Sequence, residues 1–80
     1  MSRYVATFHT HLSALLTARA LQKAGTEAKM APVPRKLSSS CGTCVFYTAD
    51  GMRLECMDRD VEGVYQIGPG DRYERIYTGE

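Results

Sequence analysis

The residues best suited to chemistry lie in one short run, Ser38-Ser39-Ser40-Cys41-Gly42-Thr43-Cys44. A thiolate is the reactive form of cysteine, and nearby cations or a helix N-terminus lower its pKa. Cys41 stands between Ser40 and Gly42, with Arg35 and Lys36 a few residues upstream. Gly42 exposes backbone N–H groups, and the hydroxyls of Ser39 and Ser40 add donors for an anionic sulfur or an oxyanion. A buried free cysteine is the plainer alternative, because cysteine is among the most buried residue types. The polar Ser/Gly setting of Cys41 fits that alternative poorly. Cys44 opens the apolar run Cys44-Val45-Phe46-Tyr47, so it is either core or a thiol that resolves Cys41. Cys56 has no partner motif and reads as core.

A Cys-x-x-Cys spacing supports more than one chemistry. A thioredoxin-type redox pair is one, but there the motif follows a strand and opens a helix, whereas here it precedes a strand. Zinc is another, because His9, His11, Cys41 and Cys44 would supply four ligands of the usual types. His9 and His11 read equally well as hydrogen-bonded residues at the end of a strand and the start of a helix. His9 is also placed to serve as a base or an anion ligand. Apart from zinc, none of these readings calls for a cofactor.

These residues are distant in sequence, so the fold has to gather them. Arg3 to His9 reads as a strand, rich in aromatic and β-branched residues. Thr10 is an N-cap for a helix through Ala24, with Gly25 as its stop. Leu12, Leu15, Leu16 and Ala20 form its main apolar stripe, widened by Ala14, Ala18 and Leu21. Glu27 to Val33 is a second strand, closed by Pro32 and Pro34. Arg35 to Ser40 is a polar loop, and Thr43 to Thr48 a third strand.

Asp50 to Val61 supports two structures. Asp50-Gly51 could turn a hairpin, or Leu54, Met57 and Val61 could line a short helix; the helix is the better reading because Met57 breaks strand alternation. Val64 to Ile67 makes a fourth strand, and Gly68-Pro69-Gly70 a turn. Tyr73 to Tyr77 adds an edge strand or a partner-binding tail. The order β-α-β-β-α-β predicts an α+β, ferredoxin-like sandwich with an antiparallel sheet in strand order 4-1-3-2. In that topology His9, Thr10, His11, the Arg35–Ser40 loop and Cys41 to Cys44 meet at one edge of the sheet. Cys41 would then sit beside the N-terminus of the first helix.

Length and composition bound the rest. Eighty residues fit one domain, here residues 1 to 80 with a core over about 3 to 67 and a C-terminal extension over 68 to 80. Hydrophobic residues at 44% and a net charge of +1 exclude a disordered chain. That near-neutral charge also argues against nucleic-acid binding. The charge is uneven, with six basic and one acidic residue in positions 1 to 40 but four and eight in 41 to 80. The longest uncharged stretch, Tyr4 to Ala18, is too short and polar to span a bilayer about 30 Å thick, and no signal peptide is visible. Three cysteines, an odd number, speak against a secreted disulfide framework and for the reducing cytoplasm. A core this thin would gain from pairing, which favours a homodimer.

The segments Tyr4-Val5-Ala6-Thr7-Phe8-His9, Ala18 to Gly25, and Pro32-Val33-Pro34-Arg35 through Ser39-Ser40-Cys41-Gly42 resemble a family of small bacterial and archaeal selenium/sulfur carrier-like proteins. The resemblance covers roughly residues 3 to 67, and the Pro-Arg to Cys-Gly stretch is its most specific part. It implies a non-catalytic carrier in which Cys41 holds sulfur or selenium as a persulfide or selenopersulfide. Arg35, Ser39, Ser40, Gly42 and His9 would hold the anionic cargo. The implied partners are a pyridoxal-dependent cysteine or selenocysteine lyase as donor and a sulfur- or selenium-accepting enzyme. Two features depart from the family pattern: Cys44 stands where an apolar residue is expected, and the chain continues past Gly68. A metal-binding or ligand-sensing ferredoxin-like module is the alternative, followed by a thiol-disulfide protein using Cys41 and Cys44.

Overall fold

A computed structural model describes residues 1 to 79. Its elements run β1 (Ser2–Phe8), α1 (His11–Lys23), β2 (Glu27–Pro32), β3 (Thr43–Ala49), a single 3₁₀ turn (Leu54–Cys56), β4 (Val61–Gly68) and β5 (Arg72–Thr78). The strands form one sheet in the order β2-β3-β1-β4-β5, with every neighbouring pair antiparallel. The described residues are thus α+β, with one α-helix packed on a five-stranded sheet.

Strand alternation divides the side chains of β1 between two faces. Tyr4, Ala6 and Phe8 point toward α1 and join Val45, Tyr47 and Val64 in the main core, against Ala14, Ala18 and Leu21 of the helix. Tyr4 and Tyr47 are paired across the two central strands, and their rings stack with centroids 5.2 Å apart. On the other face Val5, Cys44 and Ile67 are buried beneath Val33 and Leu37. The segment after β2 therefore folds back and covers part of the sheet's second side.

Thr10 caps α1 as expected, its hydroxyl accepting from the Ser13 N–H at 3.1 Å. The buried stripe is a correction. Ser13, Ala14, Thr17, Ala18 and Leu21 face the sheet, while Leu12 and Leu16 are 61% and 46% exposed. Small residues let the helix approach a sheet already filled by tyrosine and phenylalanine rings. The two hydroxyls are not left unpaired: Ser13 Oγ donates to Asp58 at 2.7 Å, and Thr17 Oγ1 accepts from the Asp58 N–H at 2.9 Å.

The second helix is also a correction, and with it the βαββαβ sandwich. Arg53 takes a left-handed φ of 56°, one 3₁₀ turn follows, and Met57 is already extended. Asp58 is tied to α1, and Val61 leaves any helix to pair with Phe8 as the first residue of β4. Cys56 is half-buried at the margin of the core rather than inside it. The segment expected as an extension forms β5, with Ile76 and Tyr77 packed on the main core. Among the described residues no helix is long and apolar enough to cross a membrane.

Candidate functional site

Four segments meet at the C-terminal end of β1: His9 and Thr10, the first turn of α1, the Ser39–Gly42 loop, and the start of β3. The contacts are direct. His11 Nδ1 lies 3.2 Å from Thr43 Oγ1, and His9 Nδ1 lies 3.4 Å from Ser40 Oγ. Ser39 Oγ donates to the carbonyl of Phe8 at 2.8 Å, which pins the loop to the last residue of β1.

Cys41 sits at the centre, half-buried and unpaired. Its Sγ is 3.4 Å from both the Thr43 N–H and the Thr43 carbonyl, and 3.9 Å from Ser39 Oγ. The carbonyl accepts a hydrogen bond from the thiol, and the N–H donates one to a thiolate. Both protonation states therefore find a partner within one residue. Gly42 makes this turn feasible, because its φ of +75° is open to glycine and strained for other residues. Its carbonyl accepts from the Val33 N–H at 3.1 Å, holding the loop against the end of β2.

The charged residue that anchors the loop is Glu62, which sequence reasoning missed. Its Oε1 accepts from the Ser40 N–H at 3.1 Å, and its Oε2 from Ser40 Oγ at 3.0 Å. His9 Nδ1 stands 3.4 Å from the same Oε2. Burial alone would raise the Glu62 carboxyl, but the Ser40 N–H, the Ser40 hydroxyl and His9 favour the anion more and leave its pKa below the ordinary 4.5. The backbone of Glu62 is engaged too, its carbonyl accepting from Arg75 at 3.1 Å and from the Gly79 N–H at 2.8 Å. With β4 read as starting at Val64, Glu62 fell in a loop. Extending the strand back to Val61 would have placed it beside the end of β1.

Other expected site residues lie elsewhere. Arg35 is exposed and takes part in none of the hydrogen bonds or ion pairs around Cys41. Its neighbour Lys36 reaches the carbonyl of Asp71 at 3.4 Å, in the turn between β4 and β5. Cys44 is fully buried, and its thiol donates to the carbonyl of Pro32 at 3.6 Å. Burial, with the Cys41 charge as a lesser cause, pushes its pKa to about 11. Cys44 belongs to the second-face cluster and Cys41 packs against the main core. The proposed zinc set of His9, His11, Cys41 and Cys44 is therefore not assembled. Among the described residues no three His, Cys, Asp or Glu side chains converge on a metal position. Strand alternation turns Cys44 inward, and the two histidines are directed to Ser40 and Thr43.

Comparison with known proteins bears on what this arrangement is for. Residues 3 to 62 match the sequence model of the family described as "Putative Se/S carrier protein-like". The chain is also 33% identical over 48 residues to "Uncharacterized protein YtiA" of Escherichia coli (strain K12), a match covering 60% of this chain and 56% of that protein. The chain thus spans little more than half the length of this curated relative. No solved structure matches it significantly. The family match covers most of the chain, and the protein belongs to the Se/S carrier protein-like family.

Proposed function

We propose that the protein carries sulfur or selenium on Cys41 and delivers it to a partner enzyme. The supporting observation is the half-exposed Cys41 thiol with Thr43 N–H and carbonyl both at 3.4 Å. In loading, the Cys41 thiolate attacks the terminal sulfur of a donor persulfide, R–S–SH. The new Cys41 Sγ–S bond forms as the donor S–S bond breaks, and R–S⁻ leaves. In delivery, an acceptor nucleophile takes the terminal sulfur and Cys41 departs as thiolate. Selenium follows the same steps through R–S–SeH. Both steps are exchanges, so neither needs an oxidant or a reductant.

In this reading Ser39, Gly42 and the Thr43 N–H hold the anionic sulfur, while Ser40, His9 and Glu62 fix the loop. Donors of the required chemistry are pyridoxal-dependent cysteine or selenocysteine lyases, and acceptors are sulfur-transferring or selenophosphate-forming enzymes. A reducing cytoplasm would keep the carrier thiol available. The fold is read as a ferredoxin-like sandwich that has lost its second helix. Intact mass after exposure to a small persulfide, or to selenide with a disulfide, tests the function. A gain of one sulfur or selenium, mapped to Cys41 and absent from Cys41→Ser, is expected. Gain on Cys56 alone, or no gain, would refute it.

A further inference from the structure

Away from the thiol, the face of the sheet opposite α1 changes character. Register sets Glu27, Thr48, Arg3 and Ile67 side by side across β2, β3, β1 and β4. The next row on that face reads Lys29, Phe46, Val5 and Tyr65. Between the rows lies a cavity of about 230 Å³, with Phe46 and Ile67 as apolar lining and Arg3, Lys29, Thr48 and Glu27 as polar lining. Small-molecule pockets usually span about 300–1,000 Å³, so this one has room for a single planar group rather than an extended ligand.

The cations at this cavity are available. Arg3 meets Asp71 at 3.7 Å, but the two side chains are 61% and 70% exposed. Such a pair contributes little in water and yields to a doubly charged anion. Lys29 is in no ion pair among the described residues. A net charge near zero argued against nucleic acid for the whole chain, yet that figure averages over both faces. At the cavity Arg3 and Lys29 stand against Glu27, with Asp71 at the rim against Arg3, and Phe46 lies between the two cations in the register. An aromatic ring flanked by cations on a sheet is a surface on which one base stacks while its phosphate is neutralised.

We infer that this face binds a nucleotide, with the base packed on Phe46 and the phosphate held between Arg3 and Lys29. Thr48 and Glu27 offer a hydroxyl and an acceptor to the polar edge of the base or the sugar. The inference does not rest on the carrier reading. Arg3 lies near the start of β1 and the thiol loop at its end, ~17 Å along the strand at about 3.4 Å per residue.

A cavity of this size suits a free mononucleotide, and one titration separates it from a residue of a single RNA strand. Amide NMR spectra of the full chain are recorded with AMP, with UMP and with octauridylate. Saturable shifts centred on Lys29, Phe46 and Thr48, and absent from Ser40 to Thr43, are expected. Lys29→Glu and Arg3→Glu should each weaken binding about tenfold, and Phe46→Leu about as much through lost stacking. Phe46→Tyr keeps the ring and should keep the affinity, which separates stacking from a mere packing role. Equal affinity for mononucleotide and oligomer is the expected result; strong preference for the oligomer, falling with salt, would overturn the free nucleotide as occupant. Absence of shifts in all three titrations overturns the inference. So does an affinity matched by heparin and unchanged in Phe46→Leu.

Discussion

Glu62 and Ser40, 22 residues apart, are joined twice, once through the Ser40 backbone N–H at 3.1 Å and once through its hydroxyl at 3.0 Å. A carboxylate that grips both the main chain and the side chain of one loop residue fixes its orientation as well as its position. Cys41 follows immediately, so the conformation of the thiol turn depends on β4.

Glu62→Gln should therefore loosen the loop while leaving the sheet intact. The amide retains one acceptor oxygen, and losing a charge-assisted bond costs about 1–2 kcal/mol. Urea unfolding should show that loss, and protection of the Ser40 amide against hydrogen exchange should fall. Unchanged stability and unchanged exchange at Ser40 would show that the loop holds its shape without Glu62.

The same residue sets an acid limit. Its folded-state pKa lies below its ordinary 4.5, so the unfolded chain binds the proton more readily. The stabilisation is complete above the ordinary value and is lost as pH falls through the lowered one. The urea midpoint should thus decline as the buffer is taken from pH 6 toward 3, and the decline should be shallower in Glu62→Gln. Parallel curves for the two proteins would assign the acid sensitivity to other carboxylates.

Cysteine reactivity should follow exposure and ionisation. Cys44 is fully buried with a pKa of about 11, leaving about one part in ten thousand as thiolate near pH 7. Alkylation by iodoacetamide, followed by peptide mass, should label Cys41 first, Cys56 more slowly and Cys44 last. Labelling of Cys44 in the native protein at the rate of Cys41 would contradict its burial.

Gly42 carries a φ of +75° with open space around its missing Cβ. Gly42→Ala should cost about 1 kcal/mol through backbone strain alone. It should also slow loading of Cys41 from a small persulfide, because relieving the strain displaces the Thr43 N–H. Wild-type stability and loading in this variant would mean that the turn is not held as described.

Removing residues 69 to 80 deletes β5 and uncovers β4. Ile76 and Tyr77 pack on the main core, and losing two half-buried side chains should cost about 3 kcal/mol. A lower melting temperature is expected by calorimetry. A truncated chain that melts with the full-length protein would show that β5 contributes no stability.

Legibility from sequence followed the range of the interactions. β1, β3 and the Thr10 cap rest on alternation and a local hydrogen bond, and they stand where those signals point. The gathering of His9, His11 and the Cys41 loop followed from the direction of β1 and β3. The helix face was misread because hydrophobicity favoured Leu12 and Leu16. Ser13 and Thr17 are buried instead because Asp58, more than 40 residues on, satisfies their hydroxyls. Glu62 was missed for a related reason: its partners are distant, and the strand that presents it was read too short. Arg35 drew attention by its charge and its closeness in sequence, whereas the loop turns that stretch outward.

The carbonyl of Glu62 accepts from Arg75 and from the Gly79 N–H, so the residue that grips the thiol loop is itself latched by the last strand. During translation Cys41 leaves the ribosome well before those latching residues. Until they follow, its loop lacks the finished support of β4. Synthesis order thus makes the thiol loop late to settle, however early Cys41 itself is made.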